Sequence, residues 1–409
     1  MVRRPAILVL LAALLAGCSG GDDGDSGGGG GGSGDGETGR AAPEAVELPA
    51  DEDFYDLDDL TAAGAHGTLL RYQEVTPTVV EDRRTYRIAY ASESVAGEQV
   101  VVTGTVLVPE AAAPADGRRV LAIAHGTTGG ADACAPSQDP SYAEIAGVGS
   151  GVGPDWLVVV TDYEGLGGPG RHPYLVGESE GRSVVDAVLA ARSLPGADPG
   201  DQVGIAGYSQ GGHGALWAAQ VAAEYAPELD VIGTVAGAPA SETDLVFGAA
   251  PQSASAGFSL LLVAGYEQAY PDQADPADIL TPAGQERLGL VDELCVADLL
   301  GETTGEPEPL YLPTAASNED WTELAAENVA GQVRLDDPVL VVHSAQDTTV
   351  PPVFSELLQT RMCDAGQVIE RVVLPEGGSH VAAAIPAYTQ GLAWLQGLVD
   401  GAEPVSTCP

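Results

Sequence analysis

The chain has 409 residues, with 60 Asp and Glu against 16 basic residues, all of them Arg, and a formal net charge of −44. The lack of lysine excludes Schiff-base chemistry, a P-loop lysine and a Ser-Lys dyad, and the negative field repels phosphates, so no nucleic-acid partner is expected. Five cysteines with no Cys-x-x-Cys pair, and no His-Glu-x-x-His, argue against zinc or dithiol redox chemistry.

The chain opens like an exported protein. Arg3 and Arg4 precede an apolar run from Ala6 to Ala16 that is too short to span a bilayer comfortably. The run ends in Leu15-Ala16-Gly17-Cys18, which resembles a bacterial lipobox. That resemblance implies a lipoprotein signal peptide over 1–17, a diacylglycerol on Cys18, and anchoring to the outer face of the bacterial cytoplasmic membrane. An ordinary signal peptide cut near Ala16 is the alternative. Residues 18–60 read as a Gly/Asp-rich disordered tether, because 19–40 carry no apolar periodicity and cannot bury a core. The acidic residues between Asp51 and Asp59 lack the loop spacing of an EF-hand and read as a solvated continuation.

From residue 61 the pattern changes. Apolar runs at 99–108, 119–125, 156–161, 202–207, 231–236, 338–343 and 368–374 predict strands, several of them continuous Val/Leu/Ile runs suited to burial on both faces. Helical patterns fall at 179–193, 210–225 and 385–399. Such alternation predicts an α/β fold with a mostly parallel central sheet flanked by helices. The runs at 86–90 and 99–108 read as an antiparallel hairpin at one edge. Residues 240–335 break the rhythm with short helical patterns between Pro and Gly, and read as an inserted helical lid. The core then has a first part at 61–239 and a second at 336–409. Apart from Cys18, Cys134, Cys295, Cys363 and Cys408 form an even set, which in an exported chain reads as two disulfides with three possible pairings.

The chemistry centres on Gly207-Tyr208-Ser209-Gln210-Gly211, where an apolar run turns directly into an Ala-rich helical pattern. This is the order of a nucleophile elbow, which thrusts a serine hydroxyl out above a sheet. The same Gly-x-Ser-x-Gly pattern at 17–21 and 24–28 lies in the tether, where no fold can hold it. A serine needs a base, and the base needs an orienting acid. In this architecture they follow the serine in the order acid, then His, on loops after strands. His380, in a Gly-rich loop before the last helix, is the expected base, and Asp347, after the strand at Val339–Val342, the expected acid. His213, on the elbow helix, and His343, ending a strand, read as structural. One oxyanion donor should be the backbone N–H of Gln210, and the other should come from the loop His125-Gly126-Thr127-Thr128-Gly129-Gly130. His125 reads as a prop for that loop.

Taken together, His125-Gly126-Thr127, Asp162-Tyr163-Glu164-Gly165, His172-Pro173-Tyr174 and Gly-Tyr-Ser-Gln-Gly at 207–211 resemble the secretory lipase family, of the yeast lipase A type in its actinobacterial branch, over roughly residues 65–409. The resemblance implies an α/β-hydrolase with a helical lid, acting on carboxylic esters. It also implies Thr127 and Gln210 as the oxyanion hole, and the pairings Cys134–Cys295 and Cys363–Cys408. An acidic, lipid-anchored tether departs from the family, whose typical members are freely secreted. Cutinases share the Gly-Tyr-Ser-Gln-Gly motif but are shorter, lack a cap, and set acid and His closer together. A small-molecule or lipid ester is the expected substrate, with no cofactor or metal and a monomeric chain. Acyl transfer through the same acyl-enzyme, or a non-catalytic envelope-binding lipoprotein, are the alternatives.

Overall fold

The computed structural model describes residues 44–409, apart from 77, 79, 140 and 254. The signal peptide, Cys18 and most of the tether therefore lie outside the described residues. The strands are β1 (Val46–Glu47), β2 (Leu69–Val75), β3 (Arg83–Glu93), β4 (Gln99–Pro109), β5 (Arg118–Ala124), β6 (Trp156–Thr161), β7 (Pro199–Tyr208), β8 (Asp230–Gly237), β9 (Val339–Ser344) and β10 (Ile369–Leu374). They form one sheet in the order β1-β2-β3-β4-β6-β5-β7-β8-β9-β10. The β2-β3-β4-β6 ribbon is antiparallel, and everything from β6 to β10 is parallel.

Among the described residues ten α-helices accompany the sheet: α1 (Ala143–Gly151), α2 (Gly177–Ala191), α3 (Gln210–Tyr225), α4 (Thr243–Ala249), α5 (Gly257–Ala269), α6 (Pro282–Leu288), α7 (Val296–Glu302), α8 (Glu319–Glu327), α9 (Val353–Asp364) and α10 (His380–Val399). Alternation along the strands sorts them into layers. In β5, Val120, Ala122 and Ala124 face α2 and α3, while Leu121 and Ile123 face α1 and α10. Both faces are therefore covered, which is why these strands read as unbroken apolar runs. Helices α4 to α8 lie between β8 and β9 and share a cluster around Trp321, which stacks on Phe247 and Tyr266 at centroid distances of 5.8 and 6.2 Å. Ala41–Pro409 is nonetheless one compact unit. Among the described residues no helix is long and apolar enough to cross a membrane.

Several elements differ from the sequence expectation. Residues 44–60, expected in the tether, pack on the sheet instead: Phe54 and Leu57 are buried against Leu70, Ala89 and Val101, so these two apolar side chains outweigh the acidic residues around them. The edge hairpin is longer than 86–90 suggested, and β2 is added to it, its Leu-Leu-Arg-Tyr-Gln-Glu-Val having no clean alternation. Helix α1 was unforeseen because three of its nine residues are glycine. Helix α9, also unforeseen, buries Leu358 and Met362 and crosses between the parallel β9 and β10.

Among the described residues there are two disulfides. Cys134–Cys295 joins the loop after β5 to the start of α7, and Cys363–Cys408 joins α9 to the C-terminal segment.

Candidate active site

Ser209 occupies the turn between β7 and α3 with φ 62° and ψ −121°, a conformation that costs a serine about 1–3 kcal/mol. Only glycine fits on either side. A Cβ on Gly207 would sit 2.0 Å from the Gly211 carbonyl oxygen, and one on Gly211 would sit 1.9 Å from that of Ala124. The strained residue is pinned by its own main chain. Its N–H donates to Gly237 O at 2.9 Å, and its carbonyl accepts from the amides of Ala240 and His213 at 3.1 and 3.2 Å.

The structure brings Ser209, His380 and Asp347 together from three separate loops. His380 begins α10, and its Nε2 lies 2.9 Å from Ser209 Oγ. Its Nδ1 lies 2.6 Å from Asp347 Oδ2. Since a carboxylate only accepts, Nδ1 carries the proton and Nε2 is left free to take the serine proton. Asp347 follows β9, and its Oδ1 accepts from the amides of Thr349 and Val350 at 2.9 and 3.0 Å. Burial raises the Asp347 pKa, but hydrogen bonds from His343 and His380, the charge of His380 and the Val350 amide outweigh burial and hold the carboxyl well below the usual range. Tyr208 fixes the His380 backbone: its hydroxyl donates to the His380 carbonyl at 2.6 Å, with the two rings 5.0 Å apart.

His343 has a larger part than its place in a strand suggested. Its Nε2 donates to Val350 O at 3.0 Å and lies 3.5 Å from Asp347 Oδ2, while its Nδ1 is buried without a partner. The proton therefore sits on Nε2, under the acid.

Gln210 is the first residue of α3, so its backbone N–H has no carbonyl one turn back within the helix. Its side chain is not free to help. The amide Nε2 donates to Glu180 Oε1 at 2.9 Å and to His172 Nε2 at 2.8 Å. Thr127 and Gly126 follow β5 and line the same cavity as Ser209 and His380. Thr127 Oγ1 is 3.0 Å from the Tyr174 hydroxyl, and the Gly126 N–H donates to Glu144 Oε2 at 3.2 Å.

Beneath the elbow lies a buried polar layer that holds it. Glu180 Oε2 meets His213 Nδ1 at 2.6 Å, and His213 Nε2 meets the Asn328 carbonyl at 2.7 Å. These contacts tie α3 to α2 and to the segment after α8. Burial pushes the His172 pKa down to about 3, consistent with a ring that donates from Nδ1 to Glu164 O and accepts at Nε2 from Gln210. His125 is likewise buried and pushed down to about 4, between the carbonyls of Gly126 and Asp162. Asp162 accepts from Thr103 and Ser137, and Glu164 accepts from Ser179, so this motif builds loops. Sequence reasoning missed Glu180. Its signal was a carboxylate at the i and i+4 spacing of Val184 and Val188 on the buried face of α2.

Among the described residues no cluster of three or more His, Cys, Asp or Glu side chains could hold a metal. A mainly apolar cavity of about 990 Å³ opens at Ser209.

A description of secretory lipases matches residues 143–407. The chain is 25% identical over 321 residues to a probable inactive lipase of Mycobacterium tuberculosis, covering 73% of this chain and 71% of that protein. It is 26% identical to lipase A of Moesziomyces aphidis, over 89% of this chain and 83% of the relative. The solved structure of Candida antarctica lipase A in its closed state matches with a TM-score of 0.70 at 21% identity, covering 84% of each chain. At that identity the likeness concerns the fold, and the fold is that of the α/β-hydrolases.

Proposed function

The chain belongs to the secretory lipase family and is a carboxylic ester hydrolase, and we propose that it works through Ser209, Asp347 and His380 by way of an acyl-enzyme. In this reading Ser209 Oγ attacks the ester carbonyl carbon as its proton passes to His380 Nε2. Asp347 holds the Nδ1–H and stabilises the imidazolium. The carbonyl oxygen becomes an oxyanion facing the backbone N–H groups of Gln210 and Thr127, with the positive end of α3 behind Gln210. The intermediate collapses, the C–O bond breaks, and His380 returns the proton to the departing alcohol. Water then repeats the sequence against the acyl-serine and releases the acid.

The observation that carries this reading is the unbroken relay, 2.9 Å from serine to imidazole and 2.6 Å from imidazole to carboxylate. The mycobacterial relative is named inactive; here the relay supports an active enzyme. Ser209→Ala should lower kcat on p-nitrophenyl butyrate by about 10⁴-fold or more and abolish labelling by a fluorophosphonate. Full activity in that variant would end the assignment.

Residues 240–335 serve as the lid in this reading, with 61–239 and 336–409 as the two parts of the catalytic core. Phe258 on α5 and Leu300 on α7, which line the cavity at Ser209, support this. One chain supplies every group of the site, in keeping with a monomer. Secretory relatives support export, and the sequence around Cys18 supports a lipid anchor facing out from the bacterial membrane.

A further inference from the structure

We infer that Glu180 is a positioning residue for the oxyanion hole, one buried carboxyl that aligns the donors at both Gln210 and Thr127; this rests on the ester-hydrolase reading. Glu180 lies on the buried face of α2 and is 0% exposed. Its Oε1 accepts from two groups, each of which leads to one of the donors. One is the Gln210 side-chain amide at 2.9 Å. The other is the Leu175 N–H at 3.1 Å. Oε2 meets His213 Nδ1 at 2.6 Å, and His213 is held in turn by the Asn328 carbonyl at 2.7 Å. With both oxygens engaged inside the fold, Glu180 reaches the reacting atoms only through these neighbours.

The Gln210 branch acts on a strained peptide. Ser209, at φ 62°, sets the direction of the Gln210 N–H, and a strained turn keeps its geometry only where its surroundings over-determine it. Main-chain hydrogen bonds pin Ser209 on one side of that peptide. On the other side, the Gln210 side chain is clamped between Glu180 and His172 Nε2, so the residue cannot roll at the start of α3. The second branch runs through the loop 172–175. Leu175 has φ 57°, in the left-handed region that a leucine seldom adopts, and the bond from its N–H to Glu180 holds that turn. One residue earlier, the hydroxyl of the buried Tyr174 lies 3.0 Å from Thr127 Oγ1. Helix α5 backs the same loop: a Cβ on Gly265 would come 2.3 Å from the Tyr174 nitrogen, so glycine is what lets the helix approach. The His172 end of the loop accepts from Gln210, which joins the two branches. A buried carboxyl is costly unless it is hydrogen-bonded, and an apolar side chain would fill this space without that cost. Alignment of the two donors accounts for its presence.

The test is kcat on p-nitrophenyl butyrate per active site, with sites counted by fluorophosphonate labelling carried to completion. Removing a whole oxyanion donor costs about 10²–10³ in kcat, so misaligning the donors by Glu180→Leu should lower kcat about 10–100-fold with KM within about twofold of wild type. Glu180→Gln should keep kcat within about threefold, because its amide oxygen still accepts from Gln210 and Leu175 while its NH2 group donates to His213 Nδ1. Tyr174→Phe removes only the contact with Thr127 and should lower kcat about threefold to tenfold. Gln210→Met removes the clamp but keeps the backbone N–H, and adding it to Glu180→Leu should cost no more than Glu180→Leu alone. Trifluoroacetophenone, whose carbonyl carbon takes Ser209 Oγ as the proton passes to His380 and leaves an oxyanion, should inhibit more weakly in step with kcat. A role in packing alone would lower the number of labelled sites and leave kcat per site unchanged. Should Glu180→Leu give no labelled enzyme, Tyr174→Phe and Gln210→Met decide by themselves. Unchanged kcat per site in Glu180→Leu or in both of those variants, or Glu180→Gln as slow as Glu180→Leu, would overturn the assignment of Glu180 and leave the triad intact. No hydrolysis and no labelling in the wild type would instead reject the ester-hydrolase reading.

Discussion

At Asp347, burial and hydrogen bonding act in opposite directions, and the hydrogen bonds prevail. The carboxyl thus stays ionised through the working range and orients His380 instead of exchanging its proton. Its folded pKa lies below the unfolded value of about 3.9. The carboxylate therefore stabilises the fold above that value, and the contribution is lost as pH falls through the folded pKa. Urea unfolding of wild type and Asp347→Asn should show a stability gap at pH 5 that shrinks below about pH 4. The same substitution should lower kcat about 10⁴-fold, because an amide facing Nδ1 favours the wrong imidazole tautomer. An equal stability gap at pH 5 and pH 3 would contradict this account of Asp347.

Between elements, the most informative junction outside the active site joins the segment before β2 to α2 and α3. His66 Nδ1 lies 2.7 Å from Asp186 Oδ1 on α2, and its ring stacks on Tyr225 of α3 at 3.9 Å. Ser92 and Tyr225 donate to the other Asp186 oxygen at 2.6 and 3.0 Å. The hydrogen bond that His66 donates to Asp186 raises the His66 pKa above 6.5 against the opposing pull of burial. A raised pKa means the interaction is fully present below about pH 6.5 and fades as pH rises through the folded value. His66→Gln should accordingly destabilise the protein more at pH 5.5 than at pH 9, measured by urea midpoints. A gap independent of pH would show that His66 acts by packing alone. The elbow depends on a similar pinning of elements: Gly207 and Gly211 allow β5, β7 and α3 to approach, and the Glu180–His213–Asn328 chain ties α2 and α3 to the segment after α8.

Across the whole molecule, the disulfides bear on how well the fold survives, and the anchor proposed at Cys18 bears on where the protein resides. Cys363–Cys408 closes a sequence separation of 45 and holds the tail whose Thr407 N–H donates to Ile369 O on β10. Replacing both cysteines with serine should cost about 2–4 kcal/mol, seen as a lower midpoint in guanidinium unfolding. Cys18→Ser should shift the protein from the membrane fraction to the medium and abolish labelling with radioactive palmitate. Retention at the membrane in that variant would reject the anchor.

Much of the site was legible in the sequence because its chemistry is local at each point. The elbow announces itself by two glycines around a serine at a strand-to-helix boundary, and Asp347 and His380 each follow an apolar run in the expected order. Chain order was enough to choose among the histidines, since only His380 follows a strand and a Gly-rich loop. Helix α1 and strand β2 escaped notice because glycine and mixed polarity erase the periodicity on which such reading depends. Glu180 and the role of His343 escaped for a different reason. A buried carboxylate or a neutral imidazole is defined by which acceptors and donors close around it, and those come from residues far apart in the chain, such as Asn328 beside His213 and Val350 beside His343. The sequence by itself determined the layered α/β architecture and singled out Ser209, Asp347 and His380 as the residues proposed for nucleophile, acid and base, since these follow from periodicity and order. Only the tertiary structure decided which nitrogen of His380 faces the carboxylate and which the serine, and the size and polarity of the cavity at Ser209, because both depend on distances between side chains that no local pattern encodes.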